Sequence, residues 1–168
     1  MRRFLCISAV AVAAALTLVG GGAHATQEPD STILRAIHVY RAKTWRFEQV
    51  MGRPLTRVHA STLVTRRDAW RAHAAHARRR FVAGPPHRRA WLCIHRYEGS
   101  WKDRGAPYYG GLQMDISFQR HYAPRVLRTK GTADRWSPLE QMWVAERAYR
   151  SGRGFYPWPN TARYCGLI

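Results

Sequence analysis

The sequence predicts an α+β fold that is mostly α: a compact domain with a small β-hairpin, preceded by a basic helical hairpin. Three observations carry this. Apolar residues recur at helical spacing over two long stretches of the first half. Gly84-Pro85-Pro86-His87 cannot continue a helix, and so divides the chain. Beyond it, paired tyrosines beside paired glycines interrupt shorter helical patterns, as a hairpin would.

The first element is an address label. Arg2 and Arg3 precede an apolar run from Phe4 to about Val19, and Ala23-His24-Ala25 forms a small-x-small cleavage signal. The run is shorter than the roughly 20 residues of a membrane span. Residues 1–25 are therefore read as a signal peptide, against the alternative of a retained anchor. The mature chain begins near Thr26 and is secreted, extracellular or wall-associated. Its length suffices for one domain with its own core. Export leaves Cys93 and Cys165, an even count in a compartment that favours disulfides. The scattered histidines show no metal-ligand spacing, so no metal and no cofactor is expected.

Without residues 1–25 the chain carries 26 basic and 10 acidic residues, a net charge of +16. A polyanion nearby would account for this: nucleic acid, anionic lipid, or the anionic wall polymers of Gram-positive bacteria. Only three of the 26 are lysine, so a bias toward arginine in composition also contributes. Charge alone does not choose among these.

Residues 26–84 form the basic helical region. Its opening helix runs from about Thr32 to Met51, with Ser31 or Asp30 as N-cap and Gly52 as the stop. Ile33, Ile37, Tyr40, Phe47 and Met51 make one apolar face. A second helix spans Thr62 to Val82, with Trp70, Ala74, Ala77 and Phe81 on one face and Arg66, Arg67, Arg71, Arg78, Arg79 and Arg80 around the rest. This is either a wall-binding, substrate-steering arm or two helices packed on the second half. Residues 85–90 are read as a linker.

Residues 91–168 hold 14 aromatic residues in 78, too many for a core alone in so small a unit. Aromatic faces stack on sugar rings and on nucleobases. In the stretch Trp91 to Gly99, Trp91, Ile94 and Glu98 fall on one side of a helix that Gly99 stops. Glu98 lies at the helix end where the dipole disfavours a carboxylate, beside Tyr97 and Trp101. Both influences favour its protonated form, which is what a general acid needs. The plainer reading is an exposed glutamate paired with an arginine.

The hairpin is expected over Tyr108-Tyr109-Gly110-Gly111-Leu112-Gln113-Met114-Asp115, with Lys102–Gly105 at or near its turn. Gln113 could bond an amide-bearing sugar. Asp115 either N-caps a short helix ending at Pro124 or serves in catalysis. Ser137-Pro138-Leu139-Glu140 has the form of a capping box, and the helix it starts should reach about Arg150 before Gly152. Gln141, Val144, Ala145 and Ala148 form its inner stripe. Glu146 is a salt-bridged helix residue or a second acid. The aromatic tail Phe155–Asn160 either walls a sugar subsite or covers the core.

The order Trp91…Glu98…Trp101, Tyr108-Tyr109-Gly110-Gly111-Leu112-Gln113, Gln141…Ala145-Glu146, Trp158-Pro159…Cys165 resembles the catalytic domain of resuscitation-promoting factors. These are actinobacterial wall hydrolases with a compact lysozyme-like fold, related to lytic transglycosylases. The resemblance covers residues 91–168 and implies a lysozyme-like catalytic domain there. It implies that Glu98 is the catalytic glutamate, that Gln113 and Asp115 contact sugar, and that Tyr108, Tyr109, Trp101 and Trp158 bind substrate. Two departures stand out. The segment between Glu98 and Gln113 is a few residues shorter than the family's. The family's first cysteine directly precedes the glutamate, where this chain has Tyr97; Cys93 lies one turn earlier, and Cys165 also lies later than its counterpart. Both ends having moved together, the resemblance implies a Cys93–Cys165 disulfide in shifted position.

The expected activity is cleavage of peptidoglycan glycan strands, with Glu98 protonating the bond between N-acetylmuramic acid and N-acetylglucosamine. Most glycosidases use a second carboxylate. The remaining acids of this half are Asp103, Asp115, Asp134, Glu140 and Glu146, none clearly placed, with Asp103 and Asp115 as candidates. A single-acid mechanism would use the substrate's own N-acetyl or 6-hydroxyl group. Expected partners are peptidoglycan and anionic wall polymers, with no nucleic acid, no stable membrane span and a monomeric chain. The rival readings are a catalytically inactive cationic wall-binding module and a secreted nucleic-acid binder.

Overall fold

A computed structural model describes residues 28–168; the expected signal peptide, residues 1–25, lies outside the described residues. The fold is mostly α with one small antiparallel ribbon. Its elements are α1 (Asp30–Met51), α2 (Leu63–Ala83), α3 (Arg88–Glu98), β1 (Tyr108–Tyr109), β2 (Met114–Asp115), α4 (Ile116–Tyr122), α5 (Pro124–Lys130), a 3₁₀ turn (Ala133–Arg135), α6 (Pro138–Ala148), a π turn (Tyr149–Arg153) and α7 (Pro159–Tyr164). Among the described residues no helix is long and apolar enough to cross a membrane.

Helix α1 begins two residues earlier than its apolar pattern suggests. The Pro29 carbonyl accepts from the N–H groups of Thr32 and Ile33, so the helix starts at Asp30, whose charge favours the first turn. Gly52 ends it in the left-handed conformation, φ 63°, with Arg53 N–H reaching back to the Glu48 carbonyl. Thr62 opens α2 through a reciprocal side-chain cap with Thr65. The break at Gly84–His87 is shorter than the expected linker 85–90: His87 caps α3, and Arg88, Arg89 and Ala90 already form its first turn. Two prolines restrict only their own and preceding residues, so helical geometry resumes at once.

The helical pair does not stand apart. Ile33 and Ile37 of α1 bury against Trp70 of α2 in a small cluster of their own. Val50 and Met51, nearly four turns further along α1, belong instead to the main core. Phe47 packs on Phe81 at 5.0 Å between ring centres. The Trp143 indole donates to the Phe81 carbonyl at 3.0 Å, and Arg147 donates to the Gln49 carbonyl at 3.0 Å. Arg147 and Arg150 thereby occupy carbonyls that the end of α1 leaves open.

Helix α6 is the centre of the main core. The Ser137–Glu140 capping box and Pro138 start it as expected. Eight of its eleven residues are buried, so it is covered all round rather than on one stripe. Around it lie Trp91 and Ile94 of α3, Leu112 and Met114 of the ribbon, Phe118 and Tyr122 of α4, and Phe155 and Trp158 before α7. Trp91 meets Phe155 at 4.9 Å and Trp158 at 5.2 Å between ring centres. Much of the aromatic excess is therefore core. The Cys93–Cys165 disulfide is formed, with 6.0 Å between Cα atoms, and ties α3 to the residue after α7.

Candidate active site

Glu98 is the last residue of α3 and is half-buried, continuing the side of the helix that buries Trp91 and Ile94. Its Oε1 accepts a 2.7 Å hydrogen bond from the Thr161 hydroxyl in α7. No ion pair involves it among the described residues, in a chain rich in arginine. The aromatic neighbours expected to enclose it pair elsewhere. Tyr97 is exposed and packs on Tyr164, with 5.6 Å between ring centres. Trp101 stacks on His95 at 3.8 Å.

The ribbon pairs Tyr108 with Asp115 and Tyr109 with Met114. Its turn is Gly110–Gln113, not Lys102–Gly105. The reason is backbone chirality: Gly110 (φ 72°) and Gln113 (φ 46°) take left-handed conformations that close a four-residue turn. Lys102–Gly105 form a preceding loop whose Asp103 carbonyl accepts from Gly110 N–H. The paired glycines approach side chains closely. A Cβ on Gly110 would lie 2.5 Å from Gln141 Oε1, and one on Gly111 would lie 2.5 Å from His95 Nδ1 and 2.7 Å from the Trp101 ring. Gln141 Oε1 accepts from Gly111 N–H, while its Nε2 donates to the Trp101, Ala133 and Trp136 carbonyls. One buried amide thus fixes the ribbon turn to α6 and to the loop after α3.

The Gln113 side chain reaches from this turn to the loop after α3. Its Nε2 donates to Asp103 Oδ2 at 2.7 Å and to the Gly110 carbonyl at 3.0 Å. A Cβ placed on Gly99 would lie 3.6 Å from both Asp103 Oδ2 and Gln113 Nε2, so these groups stand against the residue next to Glu98. The backbone N–H of Gly105 and then the Gln113 amide hold the Asp103 carboxyl below its ordinary pKa. Asp115 is the N-cap of α4: its Oδ1 accepts from Phe118 N–H and the Ser117 hydroxyl, both at 2.7 Å. Those bonds, the Phe118 N–H foremost, lower its pKa too. Both aspartates are carboxylates near neutral pH.

Of the residues named from the sequence, Tyr108, Gln113, Asp115 and Trp158 line one open cavity of about 530 Å³. Phe118, His121 and Arg153 complete its walls. Glu98 is not part of this lining; its neighbour Gly99 stands against Gln113, which is. Trp158 is mostly buried and donates its indole N–H to the Leu112 carbonyl at 2.6 Å. Trp101 and Tyr109 fall outside the lining: Trp101 supports His95, and Tyr109 packs partly buried on the core. Glu146 is paired, as expected of a salt-bridged helix residue: it lies 3.1 Å from His87 Nδ1 and accepts from the Trp91 indole N–H. Thr161 and His95 carried no sequence signal, since an isolated threonine or histidine shows neither its partner nor its depth. Among the described residues no three His, Cys, Asp or Glu side chains are placed to hold a metal ion. Comparison with protein-family models, with curated proteins and with solved structures finds no match for this chain.

Proposed function

We propose that this chain is a secreted enzyme that cuts the glycan strands of peptidoglycan, with Glu98 as general acid at the bond between N-acetylmuramic acid and N-acetylglucosamine. The observation that carries the reading is the setting of Glu98. It is a half-buried carboxyl at a helix end whose partner is a neutral hydroxyl, and its neighbour Gly99 stands against Gln113, which walls a cavity with Tyr108 and Trp158. A carboxyl held this way can give up and regain a proton without breaking an ion pair. Thr161 bonds to Oε1, which leaves Oε2 to face the glycosidic oxygen. The resemblance of residues 91–168 to lysozyme-like wall hydrolases supports the same assignment.

In this reading the sugar chain lies along the ribbon, with Tyr108 as a stacking face and Gln113 as a partner for an N-acetyl group. Proton transfer from Glu98 to the leaving oxygen breaks the glycosidic bond and leaves positive charge on the sugar ring. Asp103 is the anion nearest this end of α3 and would stabilise that charge or position water. The substrate's own N-acetyl or 6-hydroxyl oxygen would otherwise complete the displacement, as in lytic transglycosylases.

The test is release of soluble muropeptides from purified sacculi by the mature protein, analysed by mass. Glu98→Gln should lower the rate by about 10²- to 10⁴-fold, the usual contribution of a general acid, while its thermal transition stays in place. Equal release by wild type and variant would remove Glu98 from the mechanism. The masses report product chemistry as well, since an anhydro-sugar end is one water lighter than a hydrolysed one.

A further inference from the structure

A second, larger concavity than the one beside the ribbon has no residue of the candidate active site in its lining. It is a groove of about 930 Å³ between the C-terminal half of α1, helix α5 and one side of α6. Six cations line it (Arg46, Arg53, Arg125, Arg128, Lys130 and Arg147) against one carboxylate, Glu140. That carboxylate is already matched: Lys130 Nζ donates to both its oxygens at 2.6 and 2.7 Å, and Ser137 adds its N–H and hydroxyl. Arg147 is committed to the Gln49 carbonyl. Arg53, Arg125 and Arg128 are exposed and have no carboxylate within ion-pair distance among the described residues, and Arg46 makes only a 3.7 Å contact with Glu140. Four guanidinium groups therefore converge on a concave surface with no anion of the protein left to meet them.

We propose that this groove binds a phosphodiester chain that carries no bases, such as a polyol-phosphate polymer. Guanidinium forks match phosphate oxygens in pairs, which makes arginine suited to a succession of phosphates. The rest of the lining separates this ligand from nucleic acid. It consists of Ala42, Val50, Ala123, Val126 and similar small or aliphatic groups, with no tryptophan, tyrosine, phenylalanine or histidine. Single-stranded nucleic acid is held by base stacking on aromatic side chains as well as by charge, and this groove offers no such face. Small aliphatic walls and a row of cations fit a flexible chain of phosphates and short carbon units. The site is independent of Glu98; it would hold the protein on an anionic polymer whatever chemistry occurs at the other face.

The experiment uses the whole mature protein and two probes of equal charge: a chain of glycerol phosphate units and a single-stranded oligonucleotide. Binding is followed by calorimetry across a salt series. Arg125→Gln combined with Arg128→Gln should weaken glycerol-phosphate binding by about tenfold and reduce the salt slope by about 1.4, two phosphate contacts at about 0.7 each. The control removes the same charge from the exposed face of α2, outside the groove, with Arg78→Gln and Arg79→Gln, and should leave binding within about twofold. All four positions are exposed, so both variants are expected to fold as wild type. An equal loss in the α2 variant would overturn the proposal in favour of diffuse charge. Binding of the oligonucleotide as tight as that of the base-free chain, lost in the same groove variant, would overturn it in favour of nucleic acid.

Discussion

The carboxylates at the two ends of α6 and the carboxylate at the end of α3 are treated differently by the fold. Glu140 and Glu146 are almost fully buried, and each is surrounded by donors. Burial pushes the Glu140 carboxyl up, but the Lys130 ammonium and the Ser137 N–H more than reverse this and hold it below the ordinary range. Glu146 accepts from the Trp91 indole at 2.9 Å and lies 3.1 Å from His87 Nδ1. Glu98, only half-buried, has one hydroxyl. Burying a carboxylate is costly unless donors meet it, and here donors do: Glu140 ties the end of α5 to the start of α6, and Glu146 ties α6 to the start of α3, 55 to 59 residues away. The third has one oxygen bonded and the other without a hydrogen-bond partner among the described residues. In this molecule a carboxyl's partners, more than its depth, separate scaffold from candidate chemistry.

The comparison can be broken at the scaffold. The largest effect should come from the disulfide, because it ties the helix bearing Glu98 to the segment after Thr161. Replacing Cys93 and Cys165 together by alanine should lower stability by about 4 kcal/mol, the chain-entropy value for a loop of some 70 residues, measured by urea unfolding. Muralytic rate should also fall at temperatures where the variant is still folded, since the Glu98–Thr161 bond then loses its tether. Next, Glu146→Ala should cost about 3 kcal/mol by leaving the Trp91 indole N–H without its acceptor inside the core. Per folded molecule, its activity should stay within a few-fold of wild type. A catalytic collapse in a stably folded Glu146→Ala would blur the distinction between the two kinds of carboxyl.

A smaller effect sharpens the role of Asp115. Asp115→Ala should destabilise the protein by about 1 kcal/mol at pH 7 through loss of the α4 cap. The folded pKa of Asp115 lies below its unfolded value of about 3.9. The carboxylate's contribution is therefore complete above about pH 4 and disappears as pH falls through the folded pKa. The gap between wild-type and variant urea midpoints should accordingly narrow on acidification below pH 4. A gap that stays constant down to pH 2 would show that the ionised cap contributes nothing.

Much of this scaffold was legible in the sequence because its signals are local. The Ser137–Glu140 box, the Gly52 stop, the Gly84–His87 break and the Asp115 cap each act within four residues, and each stands where the pattern puts it. The hairpin residues were legible but its turn was not. Paired glycines can serve a turn or a close approach, and here Gly110 serves both. The settings of Tyr97 and Trp101 were not legible because rings adjacent to Glu98 in sequence turn toward Tyr164 and His95, contacts that depend on α7 and the ribbon. Thr161 lies 63 residues from Glu98, and the basic groove joins α1 to α5 across more than 70 residues. No spacing rule reaches that far. Arginine content raised the expectation of a polyanion but gave no hint that Arg46, Arg53, Arg125 and Arg128 would line one concavity.

In the function proposed, Glu98 is the carboxyl that works while Glu140 and Glu146 hold the fold. The most direct measurement is the initial rate of muropeptide release from sacculi by Glu98→Gln, corrected for folded fraction by thermal unfolding of the same sample. The account predicts an unchanged thermal transition and a rate lower by about 10²- to 10⁴-fold. A Glu98→Gln protein that releases muropeptides at the wild-type rate would contradict it.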